Sequence, residues 1–163
     1  MFDRLFGIAS AARRFMEPVW NGWHRNDRRK PPSIPSRFTC GRTSEFLRRT
    51  LCGEGLDAEW ANGIPRLSDD GPEIGPYGFL ASGRWESHTW AEVEGWIVDI
   101  TADQFGAAPV IVVPSTDSRY GKRTMDTASP EFVTRRNGQV DEIWPLWVEA
   151  RRRESGASSM DAS

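Results

Sequence analysis

The chain predicts an α+β domain, on three observations. Residues 2–19 and about 40–51 carry apolar side chains at helical spacing, and residues 86–101 alternate as the two arms of an antiparallel hairpin. Pro- and Gly-rich stretches separate these segments, as connections should. Helices and strands segregated in this way point to helix packed on antiparallel sheet.

The first element is an amphipathic helix over residues 2–19, with Phe2, Leu5, Phe6, Ile8, Ala9, Ala12, Phe15, Met16 and Val19 as its apolar side. Asp3, Arg4, Arg13 and Arg14 break it too often for a membrane span or a secretory apolar core, so docking on the domain is its expected role. Residues 24–38 form a basic, Pro-rich linker, in which His24 is expected to be solvated. Pro31-Pro32-Ser33-Ile34-Pro35 cannot be helical. A helix then runs from Cys40 to about Leu51, with Thr39 as N-cap and Gly53 and Gly55 at its end. Phe46, Leu47 and Leu51 form its buried side; Arg42, Glu45, Arg48 and Arg49 form the other.

Cys40 therefore sits in a first helical turn, where free N–H groups and the helix dipole favour a thiolate. The same N–H groups suit an oxyanion hole. Cys52 sits at the electronegative end. Twelve helical residues put the two sulfurs roughly 18 Å apart, too far for a disulfide.

Strands are expected at 58–62, 86–94, 96–101 and 110–113, with a long loop from Gly63 to Gly83. Glu94-Gly95 is a candidate two-residue turn. If Val93 pairs with Trp96, His88, Trp90, Asp99 and Thr101 share one face and Asp99 lies diagonally across from His88. A three-residue loop would send Asp99 to the other face. Trp90 and Trp96 are expected in the core. Residues 143–148, Ile-Trp-Pro-Leu-Trp-Val, form an apolar patch expected on the sheet, and residues 151–163 a disordered tail. The expected organisation is thus 1–37 as helix and linker, 38–150 as catalytic domain and 151–163 as tail.

At 163 residues, with 38% apolar and 11% aromatic composition, the chain builds one core. A net charge of −2 argues against general nucleic-acid binding, and the short basic run at 25–37 lacks interleaved aromatics. Two His and two Cys without close ligand spacing argue against zinc, and no cofactor is expected. With no transmembrane or leader segment and no disulfide, a cytoplasmic chain with reduced thiols is expected. Residues 53–94 carry nine acids against two Arg, which favours a basic or amine-bearing substrate if those loops flank the site.

The order Cys40 at a helix start, Gly55-Leu56-Asp57-Ala58 opening a strand, His88-Thr89-Trp90, then Asp99-Ile100-Thr101 resembles the transglutaminase-like superfamily over about residues 40–101. That resemblance implies a papain-like fold, the nucleophile helix packed on an antiparallel sheet. It also implies a catalytic triad: Cys40 as nucleophile, His88 as general base and acid, Asp99 as the orienting carboxylate. No upstream Gln of the papain type precedes Cys40, and Gln104 and Asn62 are the nearby amide candidates for oxyanion donor.

The function so implied is a thiol hydrolase or acyltransferase. It forms a thioester on Cys40, resolved by water (a peptidase, or thiol protease, or deamidase) or by an amine (a transglutaminase). Its substrate is a protein, a peptide, or a small amide or amine. The alternative is a catalytically silent protein-binding module on the same fold, with Cys40 and His88 as packing residues. Oligomeric state is not encoded in any of these features.

Overall fold

A computed structural model describes residues 1–122 and 129–160, the latter to 157 for side chains. The chain is mixed α+β: α1 (Phe2–Asn26), α2 (Cys40–Gly53), β1 (Ala58–Gly63), β2 (Gly78–Ala81), β3 (Arg84–Glu86), β4 (His88–Val93), β5 (Trp96–Asp99), a 3-10 turn (Ala102–Phe105), β6 (Ile111–Pro114), β7 (Tyr120–Gly121) and α3 (Pro130–Met160). One antiparallel sheet runs β1-β4-β5-β6 and a second runs β3-β2-β7. Two compact units result, Met1–Thr127 and Ala128–Ser163.

The helix at the N-terminus is longer than expected, continuing through Pro18 to Asn26. Its buried stripe is Leu5, Ile8, Ala9, Ala12, Met16, Trp20 and Trp23, at helical intervals, and it packs on α2, β5 and β6. Phe2 and Phe6 fall outside that stripe, stacked on each other at the surface. Trp20 Nε1 donates to Thr43 Oγ1 at 2.9 Å, and Arg13 donates to the Ile100 carbonyl at 2.8 Å and to Asp103 at 2.7 Å. These bonds tie α1 into the first unit.

His24 is also not solvated: it is buried, its Nε2 bonded to the Pro35 carbonyl at 2.8 Å, which ties the helix end to the proline segment. Glu45, expected on the polar face of α2, is buried and held by Arg48 and Arg49 at 2.8 and 3.0 Å. A buried carboxylate needs such partners.

The segment expected as one strand at 86–94 divides at Ser87, because β3 belongs to the second sheet and β4 to the first. The long loop at 63–83 likewise contains β2. Three glycines let the sheets meet. A Cβ on Gly63 would stand 2.0 Å from the Gly78 nitrogen and 2.3 Å from the Gly121 oxygen, so only glycine fits there.

Residues 143–148 lie within α3, not in a separate patch, and the helix continues to Met160. The expected tail is therefore helical through residue 160, with Arg151–Glu154 and Arg153–Glu149 pairs at 2.9 Å along it; residues 161–163 lie outside the described residues. Among the described residues no helix is long and apolar enough to cross a membrane.

Candidate active site

The hairpin sets the geometry. Val93 pairs with Trp96 and Ala91 with Val98, so the loop is Glu94-Gly95 alone. Both residues have positive φ (48° and 82°), the primed-turn conformation that matches strand twist. The even loop puts His88 and Asp99 on one face, and His88 Nε2–H donates to Asp99 Oδ2 at 2.6 Å.

Asp99 is held from every side. Its Oδ1 accepts the Thr101 N–H at 2.8 Å and the Thr101 hydroxyl at 3.2 Å. Its Oδ2 accepts, besides His88, the Tyr120 hydroxyl at 2.9 Å. His88 and Asp99 are only 2% and 1% exposed, so each needs the other to be charged.

With Nε2 committed to Asp99, His88 Nδ1 is buried without a hydrogen-bond partner. The Cys40 thiol lies near enough to the ring for each to shift the other's charge. Around the imidazole stand Phe105, edge-on at 5.1 Å, and Phe79 at 5.8 Å between ring centroids.

Burial pushes the Cys40 thiol up, yet the His88 hydrogen bond and charge, with help from Thr89, outweigh it and hold the thiol below its ordinary value. Burial alone would lower His88; the charge and hydrogen bond of Asp99, then those of Cys40, raise it to about 10. Asp99 is penalised by burial but lowered overall by His88, Thr101 and Tyr120. Tyr120 is pushed well up, first by burial and then by Asp99, so it stays a neutral donor. The shifts favour the charged form of Cys40, His88 and Asp99 alike, and groups so coupled titrate as a unit.

Cys40 opens α2 and keeps part of its surface open to solvent. Thr39 stands at the N-cap position but does not cap: its hydroxyl donates back to the Ser36 carbonyl at 2.6 Å. The first-turn N–H groups therefore have no side-chain acceptor from the cap. Ser36 in turn donates to Asp103, which Arg13 also holds, so α1 fixes the approach to the nucleophile. Phe38, two residues before Cys40, has φ of 65° and is 62% exposed, an uncommon conformation for an aromatic residue.

Of the amide candidates, Gln104 lines a groove beside the site and spends one N–H on the Thr101 carbonyl at 2.9 Å. Asn62 is buried on β1 opposite Thr89. Trp90 is buried, as expected, and Trp96 is half-buried against Phe2. Cys52 is exposed at the far end of α2. Among the described residues no group of three or more His, Cys, Asp or Glu is placed to hold a metal.

The acids of residues 53–94 divide: Asp69 and Glu86 line the groove beside the site, and four others stand away from it. Asp57, Glu59, Glu92 and Glu94 gather at the turn end of the hairpin, whereas His88 begins β4 at the other. Five strand steps separate His88 from Val93, roughly 17 Å. Of the nine acids counted, Asp69 and Glu86 are the ones that line the groove, so the charge argument for an amine-bearing substrate rests on those two.

Tyr120 went unread in the sequence. It lies in a two-residue strand of the second sheet, and only the glycine junction carries it to Asp99. Its removal is a direct check. In Tyr120→Phe the Asp99 carboxylate loses a donor that lowers its pKa, so acid unfolding should begin at higher pH than in wild type. Stability at neutral pH should fall by about 1 kcal/mol; acid-titration circular dichroism reads both.

No family model, curated protein or solved structure matches the chain.

Proposed function

We propose that the chain is a cysteine-dependent enzyme of amide or acyl bonds, with the transglutaminase-like, papain-like arrangement of Cys40, His88 and Asp99. The observation that carries the proposal is the bonding of His88: Nε2 to a fully held Asp99 and Nδ1 buried without a hydrogen-bond partner, near a thiol held below its ordinary pKa. A core histidine needs no such activated neighbour, which is why the silent binding module is the weaker reading.

In this mechanism the Cys40 thiolate attacks the carbonyl carbon. The oxyanion that forms accepts hydrogen bonds from the first-turn N–H groups of α2, which no cap occupies. The imidazolium gives its Nδ1 proton to the leaving amine as the tetrahedral adduct collapses to a thioester. His88, now neutral, takes a proton from water or an amine, which attacks the thioester and frees the thiolate. Asp99 holds the ring's orientation and its charge throughout. Water as acceptor gives a peptidase or deamidase; an amine gives a transglutaminase.

The test needs no natural substrate. On mixing with p-nitrophenyl acetate, p-nitrophenolate should leave while Cys40 gains one acetyl group, seen by mass spectrometry and removed by hydroxylamine. His88→Ala should slow acetylation of Cys40 at pH 7 by about a hundredfold. If Cys40 in wild type acetylates no faster than Cys52, the proposal is wrong and the groove is better explored for protein ligands.

A further inference from the structure

We infer that the groove beside Cys40 selects an acyl donor with a carboxylate near the reacting carbonyl, an acidic peptide rather than a basic one; this rests on the thiol-enzyme reading above. The groove, of about 640 Å³, is built onto the site at three points. Arg37 and Phe38 of its wall lead directly into Thr39 and Cys40, Ser87 precedes His88, and Phe105 is the ring standing edge-on to the imidazole. That volume suits a short stretch of peptide.

Its charges are not evenly spent. The Arg66 guanidinium is committed to Glu73 at 2.6 Å and to the Trp85 carbonyl at 3.0 Å. Arg84 shares Glu86 at 3.6 Å. Arg37 is different: among the described residues its side chain meets only the Phe38 ring, 5.7 Å from the centroid, and Arg29 approaches the same ring at 5.3 Å. Two guanidinium groups thus crowd one exposed aromatic at the mouth of the site.

Asp69 and Glu86 also line the groove: Glu86 is shared with Arg84, and Asp69 belongs to the loop between β1 and β2. Arg37, by contrast, is three residues from the nucleophile, within roughly 11 Å between Cα atoms. The carboxylate of the triad is already neutralised by His88. What an incoming substrate meets in the groove wall leading to Cys40 is the exposed Arg37 guanidinium, whose planar donors fit a carboxylate in two parallel hydrogen bonds. Phe38 offers the adjacent apolar surface.

The probes are N-succinyl- and N-acetyl-phenylalanyl chloromethyl ketone, which differ by one carboxylate. In each, the Cys40 sulfur bonds the methylene carbon, the C–Cl bond breaks and chloride leaves. The readout is the ratio of the two labelling rates at Cys40 in the full chain at low salt, by mass spectrometry. Wild type should prefer the succinyl probe by about tenfold, the worth of one charge-assisted hydrogen bond. Arg37→Glu and Arg37→Gln should erase that preference and Arg37→Lys should keep most of it. Rapid labelling of Cys40 with equal rates, or a preference that survives Arg37→Glu, would overturn the substrate class alone. Labelling of Cys40 no faster than of Cys52 by either probe would overturn the thiol enzyme and the substrate class together.

Discussion

Asp99→Asn is expected to slow alkylation of Cys40 at pH 6 by about two orders of magnitude. Asp99 is the principal group raising His88, so its amide leaves the imidazole neutral and the thiol with its proton. An ordinary thiol is less than about one per cent thiolate at that pH, and the lowered Cys40 is more ionised than that. The variant should also unfold more easily, by about 3 kcal/mol, since a buried pair loses one partner.

The sign of the pH dependence follows from both groups. The lowered Asp99 contributes stability that is present above its ordinary 3.8 and lost as pH falls through the folded value. The raised His88 contributes stability present below its ordinary 6.5 and lost as pH climbs toward about 10. In Asp99→Asn both arms should flatten, which urea unfolding across pH will read.

Gly63→Ala, like a methyl group at Gly78 or Gly121, should be among the most damaging substitutions in the first unit. Its Cβ would overlap backbone atoms of Gly78 and Gly121, and neither can swing aside as a side chain would. Parting the sheets would draw β7 away and with it the Tyr120 donor to Asp99. A loss of about 3 kcal/mol and roughly 10 °C in Tm is expected, together with a fall in Cys40 reactivity. Gly7→Ala is the control. Gly7 lies in α1 with nothing within 4 Å of its added Cβ. That variant should gain up to about 1 kcal/mol. Equal effects of the two substitutions would contradict the role given to the junction.

Local chemistry made α2 and the hairpin legible in the sequence. The apolar spacing of Phe46, Leu47 and Leu51 fixed the helix, and the Glu94-Gly95 pair fixed the parity on which the His88–Asp99 bond depends. What could not be read depends on long-range contact. Nothing local says that Thr39 turns its hydroxyl to Ser36 instead of capping, or that His24 is buried against Pro35. The second sheet is hidden for the same reason: β2, β3 and β7 have only two to four residues each, too short for periodicity to register. The charge reading was legible only in part because composition counts residues 53–94 together, while the fold puts Asp69 and Glu86 in the groove and Glu92 and Glu94 at the end of β4 away from His88.

The central claim is the ion pair of Cys40 and His88, and the most direct measurement is alkylation by iodoacetamide. Rates at Cys40 and Cys52 should be followed separately by mass spectrometry from pH 4 to 10, in wild type and in His88→Ala. The account predicts rapid labelling of Cys40 well below pH 7, with an acid limb that His88→Ala abolishes. Labelling of Cys40 that rises only near the ordinary thiol value of about 8.5, and does so equally with and without His88, would contradict it.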